Sequence, residues 1–414
     1  MQDDKKYEWG EGVFTLLSWF KKDKVKQARV LVAGCGALGN EVVKNLALFG
    51  VGHIYVVDFD RIELSNLTRS VLFREEDAHN HAYKAEVVAR RAMEINPQIK
   101  VTPIVGNLYT DVGLALYRTV DVVIGCLDSL IARYLLNQLC MRAGKTWIDG
   151  SIENLTGTVK VYTPGVSCFE CGLSRDEFSN IMVRTGCADV VRTQEQHGRI
   201  ATTPISASII GAIQVQEAMK IIHLPDKANE SCETQKSSFK TLEGIMLHYE
   251  GMTNSMRLFK NAVWKRNCPA HDLWANVIRG ENLSATMTVS NAIAALKDLL
   301  QVKAVEINMC NNKFIDYIVS DNPEKEFRVM MPDSRLESYI ASNAELRKLS
   351  YRTLFRKSFY EIIDKSFPYQ DLTLQQIGLP LFDILQVTTE KGLFYVELSA
   401  DAHIYNVGNV SSND

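Results

Sequence analysis

Gly34, Gly36 and Gly39 set the glycine spacing GxGxxG between an apolar run, ARVLVAG, and an apolar-periodic one, GNEVVKNLALFG. Glycine permits a tight turn and close backbone approach, and a helix beginning there offers oriented N–H groups and a positive dipole end to phosphate. The next apolar run, HIYVVDFD, ends in Asp58 and Asp60. An acidic side chain about 20 residues past such a loop suits ribose hydroxyls. On these features alone a dinucleotide oxidoreductase is the default reading. Glycines that merely pack a strand on a helix are the plainer one.

A second group does not suit hydride transfer. Ser65-Asn66-Leu67-Thr68-Arg69, then Lys84, then Asp128 follow successive predicted elements, which places them at one edge of an open α/β sheet. Arg69 and Lys84 can grip phosphates, and an acidic strand end can hold the magnesium that neutralises them. Asp128 fits two roles equally, metal binding and capping of the helix that follows, and the two are compatible.

Cysteines form the third group. Cys168 and Cys171 are spaced CxxC, and Cys268 with His271 forms a second close pair in CPAH. Three thiolates and an imidazole suit a tetrahedral zinc site, structural because four protein ligands leave no open position; free thiols are the plainer alternative. Cys35, Cys126 and Cys140 read as core residues, Cys232 lies in a polar segment and Cys310 in the C-terminal domain. Cys187 follows Gly186 with Arg184 and Arg192 nearby, a setting that favours a thiolate and makes it a candidate covalent nucleophile, against the reading of an incidental loop cysteine. His197, in the same segment, has the chemistry of a base for Cys187, but such a histidine is more often solvated and it is left out of the catalytic set.

These groups need elements to hold them. ARVLVAG, HIYVVDFD, KVTPIVGNL and DVVIGCLD read as buried parallel strands, KTWIDGSI and LTGTVKVYTP as further strands. GNEVVKNLALFG, AYKAEVVARRAMEIN, SLIARYLLNQLCMRAG and TPISASIIGAIQVQEAMKII read as helices, the first stopped by Gly50 and the second by Asn96-Pro97. The expected fold is α/β, a doubly wound, mainly parallel sheet. Residues 172–199 are charged and weakly periodic, an irregular insertion too long for an ordinary connection. The rhythm changes near Gly280. Residues 1–28 then form an N-terminal helical segment, 29–279 the nucleotide domain with its insertion, and 280–414 a separate α+β domain.

With 414 residues, 46% apolar composition and a net charge of −3, the chain can bury a large core and lacks the basic surplus of a nucleic-acid binder. No signal-peptide pattern and no long uninterrupted apolar stretch stand out, so the expectation is a cytoplasmic protein with no membrane partner.

The glycine loop, VVDFDRIELSNLTR, Lys84, CLDSLIAR, IDGSIENLTGTVKVYTPGVSCFEC and the paired metal ligands together resemble the enzymes that activate ubiquitin-like proteins. That superfamily includes the ThiF/MoeB-type adenylyltransferases; the likeness is closest to the catalytic subunits of its heterodimeric eukaryotic members. LTLQQIGLPLFDILQVTTEKGLFYVELS is similar to the end of their ubiquitin-fold domain, which recruits a conjugating enzyme. The resemblance implies ATP over the glycine loop, its ribose on Asp58, its phosphates on Asn66, Arg69 and Lys84, Mg2+ at Asp128, and structural Zn2+ on Cys168, Cys171, Cys268 and His271. It also implies C-terminal adenylation of a ubiquitin-like protein, a thioester on an enzyme cysteine, and transfer to a conjugating enzyme. Catalytic roles then fall to Cys187, Arg69, Lys84 and Asp128.

Three features depart from the family pattern. The cysteine-bearing insertion is short and Cys187 is its sole cysteine; His271 stands where cysteine is usual; and no arginine precedes Arg29 to complete the ATP site of a homo- or heterodimer partner, so either a different partner subunit supplies it or Lys21 or Lys22 substitutes. Two other readings stand beside this one: an adenylyltransferase for a sulfur-carrier protein that forms no thioester, and a non-catalytic subunit.

Overall fold

The computed structural model describes residues 13–186, 201–224, 239–261, 264–310, 312–321, 324–349 and 354–407. Its first compact unit comprises the described parts of Met1–Leu108, Tyr117–Ser174 and Arg199–Leu273. The apolar runs of the sequence become β1 (Arg29–Ala33), β2 (His53–Val57), β3 (Lys100–Ile104) and β4 (Val122–Gly125). β5 (Trp147–Glu153), β6 (Thr156–Tyr162), β7 (Ile245–Glu250) and β8 (Ser255–Lys260) follow. They make one eight-stranded sheet in the order β3-β2-β1-β4-β5-β6-β7-β8. β1 to β5 are parallel, and β6, β7 and β8 each pair antiparallel to the strand before. All of β2 is buried, as expected of a parallel strand covered on both faces.

Order reverses between β1, which pairs with β2 on one side, and β4 on the other, with Val30 opposite both Ile54 and Val122. In open α/β sheets such a reversal opens a crevice at the carboxyl ends of the strands, where ligands bind. The doubly wound sheet expected from the sequence is the fold observed.

Helix Ala37–Phe49 begins at Gly36 and stops at Gly50, which takes φ +79° and returns its N–H to the carbonyls of Leu46 and Ala47. Helix Lys84–Ile95 ends at Asn96, whose extended backbone is what the following proline requires. Val32, Val42, Leu46, Val56, Val88, Ile124 and Ile210 belong to one core between the sheet and these helices.

Helix Pro204–His223 is capped by Thr203, whose hydroxyl accepts from Ser206 N–H, with proline in its first turn. Its length and apolar composition would suit a membrane span, but half of it is buried against the rest of the chain. Gln214 marks it as a core helix: the buried carboxamide donates to the carbonyls of Gly125 (2.9 Å) and Ile148 (3.3 Å) on neighbouring strands. At Gly211 an added Cβ would stand 2.9 Å from the Glu41 Cβ, so glycine sets how closely this helix approaches helix Ala37–Phe49.

The second unit gathers Tyr109–Leu116, the described part of Arg175–Gly198, and Trp274–Asp414. It holds β9 (Ile278–Arg279), β10 (Val305–Asn308), β11 (Phe314–Asp321), β12 (Glu324–Pro332), β13 (Leu354–Tyr360), β14 (Ile362–Ile363), β15 (Ile384–Thr389) and β16 (Gly392–Glu397). One sheet runs β14-β10-β15-β16-β9 and the other β12-β11-β13. Helix Val289–Leu300 buries Val289, Ile293 and Leu296 in the core of the first, and helix Asp333–Ser342 buries Leu336 and Ile340 in that of the second.

The segment expected to be irregular contains helix Arg175–Gly186. Its first turns carry few apolar side chains, so periodicity gives little signal; Ile181 is buried while the charged residues before it are exposed.

Candidate functional site

The glycines sit at the end of β1, at the order reversal. Gly34 has φ +96°, and an added Cβ would stand 2.5 Å from the Cys126 carbonyl oxygen. At Gly39 it would stand 2.0 Å from the Gly34 oxygen, so that glycine lets the helix lie against its own turn. Gly36 is different. A Cβ there meets nothing within 4 Å, and the space before the first N–H groups of helix Ala37–Phe49 is open.

Asn40, one turn into that helix, locks the loop. Its fully buried Nδ2 donates to the carbonyls of Cys35 (2.9 Å) and Gly36 (3.0 Å), and its Oδ1 accepts from Leu72 N–H at 2.9 Å. The glycine turn and the segment leading out of SNLTR are thereby joined. Sequence reasoning passed over this residue. The available signal was an amide on the apolar face of a helix, which must find buried partners.

Asp58, just past β2, accepts from Cys35 N–H at 2.7 Å and from Asp60 N–H at 2.8 Å. Burial raises its pKa, opposed by Lys84 and by these two N–H bonds. Lys84, first residue of its helix, reaches back to Asp60 Oδ2 at 2.7 Å. Burial would lower the pKa of Lys84, but the charges of Asp58, Asp60 and Asp128 outweigh it and hold the ammonium above its ordinary value. The structure therefore brings Asp58, Lys84 and Asp128 into one electrostatic group.

Asn66 and Arg69 follow in a short turn and bond within it. Asn66 Oδ1 accepts from Glu63 N–H at 3.0 Å, and Arg69 donates to the Ser65 carbonyl at 2.9 Å. Arg61 bridges this stretch to the Lys84 side of the site, stacking over the Tyr83 ring at 3.8 Å and donating to the His81 carbonyl at 2.6 Å.

Asp128 is exposed at the end of β4, and of its two possible roles capping falls elsewhere. Ser129 is the cap of helix Leu130–Ala143, its Oγ accepting from Ala132 N–H. The Asp128 charge acts on Lys84. Arg133 braces that turn: its guanidinium donates to the Leu127 carbonyl at 2.6 Å, and its Nε lies 3.1 Å from buried Asp149 on β5. Both members of this pair were legible only as lone charges in apolar runs.

The ligand atoms of Cys168, Cys171, Cys268 and His271 lie within 4.8 Å of one another. Cys171 Sγ is 3.4 Å from His271 Nε2. Zinc–sulfur and zinc–nitrogen bonds of about 2.3 and 2.0 Å give tetrahedral edges of roughly 3.5 to 3.8 Å, so the donor set and its spacing fit zinc. The His271 ring stacks on Trp264, with centroids 3.2 Å apart and planes 7° from parallel. Burial raises the pKa of Cys168 and lowers that of His271.

Cys35 and Cys140 are buried and Cys126 is partly so, as expected of core thiols. Burial raises the pKa of all three. Cys187, Cys232 and His197 lie outside the described residues.

A glycine turn at the order reversal of a doubly wound sheet, with a half-buried acid and a fixed cation behind it, defines a nucleotide-binding α/β domain. The chain belongs to the ThiF family, which matches residues 14–270. Enzymes of that family bind ATP. SUMO-activating enzyme subunit 2 of Dictyostelium discoideum is 34% identical over 151 residues, 36% of this chain and 22% of that protein. Adenylyltransferase and sulfurtransferase MOCS3 of Culex quinquefasciatus is 31% identical over 248 residues, 60% of this chain and 50% of the relative. The chain thus spans half the length of these relatives or less. Among solved structures, that of E. coli MccB with succinimide is similar over 60% of this chain and 68% of its own, at 25% identity and a TM-score of 0.47.

Proposed function

We propose that this protein activates a ubiquitin-like protein in two steps, using ATP. A C-terminal carboxylate oxygen attacks the α-phosphorus and pyrophosphate leaves, giving an acyl-adenylate. The thiolate of Cys187 then attacks the acyl carbon, AMP leaves, and the thioester passes to a cysteine of a conjugating enzyme. The observation that carries the reading is the grouping of Lys84 with Asp58 and Asp128 at the glycine turn, in a chain of the ThiF family.

In this reading the turn at Gly34, Gly36 and Gly39 lies under the phosphates and Asp58 accepts from the ribose hydroxyls. Lys84 and Arg69 donate to phosphate oxygens, replacing bonds that the same side chains donate within the protein, and Asn66 donates through its Nδ2 while its Oδ1 keeps the Glu63 N–H. Magnesium held at Asp128 would neutralise charge on the departing pyrophosphate. Zn2+ on Cys168, Cys171, Cys268 and His271 would be structural, joining the segment after β6 to the one after β8. A partner subunit, of the same or another chain, would complete the ATP site, and the reaction would take place in the cytoplasm.

A second reading shares the first step: adenylation of a sulfur-carrier protein, with no thioester on Cys187. The likeness to an adenylyltransferase and sulfurtransferase supports it. One experiment separates the two. The protein is incubated with ATP, Mg2+ and a panel of β-grasp proteins ending in glycine, and the products are run on a non-reducing gel. The first reading expects a thiol-reducible adduct that Cys187→Ala abolishes. ATP–pyrophosphate exchange without an adduct supports the second reading, and neither signal with any panel member overturns both.

A further inference from the structure

Asn137 lies midway along helix Leu130–Ala143 and is fully buried. Its carboxamide oxygen accepts from Phe169 N–H at 3.1 Å and from the indole Nε1 of Trp147 at 3.3 Å. Its Nδ2 donates to Cys168 Sγ at 3.3 Å and to Glu170 Oε1 at 3.4 Å. These partners permit one orientation of the amide. A flip would set its oxygen against a sulfur and a carboxylate, and its NH2 against two N–H donors.

The surroundings are apolar and aromatic. Trp147 stacks on Tyr162 at 4.9 Å, and Phe169 packs on both rings at 6.1 and 6.0 Å. A hydrogen bond to a thiolate is strengthened where water is excluded. Cys168 also receives the backbone N–H groups of Glu170 and Cys171, and Cys171 receives that of Lys265 at 3.2 Å. Asn137 brings the sulfur a donor from a different element, the helix that begins at Ser129 beside Asp128.

We infer that Asn137 is a positioning residue for the metal tetrad. It fixes the Cys168 thiolate through an N–H···S bond and ties the tetrad to the helix leading from the nucleotide edge. The inference rests on the reading of Cys168, Cys171, Cys268 and His271 as a zinc site. Residues that orient metal ligands in this way are typically worth about 10- to 100-fold in metal affinity.

The test is Zn2+ affinity by competition with a chromophoric chelator, together with the thiolate-to-metal charge-transfer band of the Co2+-substituted protein. Asn137→Asp keeps an acceptor for Phe169 and Trp147 but turns an acceptor toward the sulfur. It should bind Zn2+ about 10- to 100-fold more weakly and shift the Co2+ band. Glu170→Gln, which leaves the N–H···S bond in place, should match wild type. Wild-type affinity and an unshifted band in folded Asn137→Asp overturn the inference, as does an equal loss in Glu170→Gln. Should Asn137→Asp fail to fold, Asn137→Ser is judged by the same two readouts. Wild-type protein that takes up no Zn2+ overturns the metal reading, and this inference with it.

Discussion

Lys84 Nζ rests 2.7 Å from Asp60 Oδ2, the lysine side chain 13% exposed and the aspartate 52%. The cation is held in the protein while its partner faces solvent. A polyanion entering along the glycine turn can take the lysine from Asp60 without uncovering a buried charge.

Lys84→Met should therefore weaken ATP binding by about tenfold or more, the worth of a charge-assisted hydrogen bond. Asp60→Asn should leave binding unchanged or slightly tighter, because it removes a competitor for the lysine. The Asp60 variant should also melt close to wild type, since a half-exposed ion pair contributes about 0–1 kcal/mol. Titration calorimetry with ATP checks the pair of variants, and equal losses in both would make the ion pair itself the requirement.

Two glycines of one loop should fail in different ways. Gly39→Ala puts a Cβ 2.0 Å from a backbone oxygen that has little room to give, so the loop must shift; a loss of about 1–3 kcal/mol in urea unfolding is expected. Gly36→Ala meets nothing within 4 Å and should fold normally. Its cost should appear in ATP affinity alone, because the added methyl occupies space offered to phosphate. A Gly36→Ala protein that binds ATP as wild type does would show that the phosphates lie elsewhere.

His53, in β2, is buried beside Tyr55, with ring centroids 4.1 Å apart, and pairs with Thr102 Oγ1 at 2.9 Å. Burial, followed by the charges of Lys100 and Arg29, pushes its pKa down to about 4. The folded chain keeps this ring neutral where the unfolded chain protonates it, so the unfolded state binds more protons between about 4 and about 6.5. Stability contributed by the neutral ring is present above that window and is lost as pH falls through it. His53→Gln should flatten the acid limb of the stability curve by up to about one proton, read from denaturant unfolding at pH 4.5, 5.5 and 6.5.

The sequence alone determined the elements and the chemistry on offer. Apolar runs of β1, β2 and β4, the stops at Gly50 and Asn96, and the glycine spacing are local signals, set by residue type and by a few neighbours. Pairs spaced CxxC and CPAH are equally local, and a candidate set of metal ligands is legible in them before any fold. What tertiary structure alone decided is which distant groups meet. Asn40 closes on Leu72, Gln214 crosses to Gly125 and Ile148, Arg133 finds Asp149, and Asn137 reaches Cys168. Each pairing includes a buried polar group whose partner is set by strand order and helix docking, which the period of a sequence does not encode. The same holds for the cap of helix Leu130–Ala143, which falls to Ser129 and not to Asp128. It holds for helix Arg175–Gly186 as well, where an apolar face too sparse to announce itself in sequence is defined by the burial of Ile181.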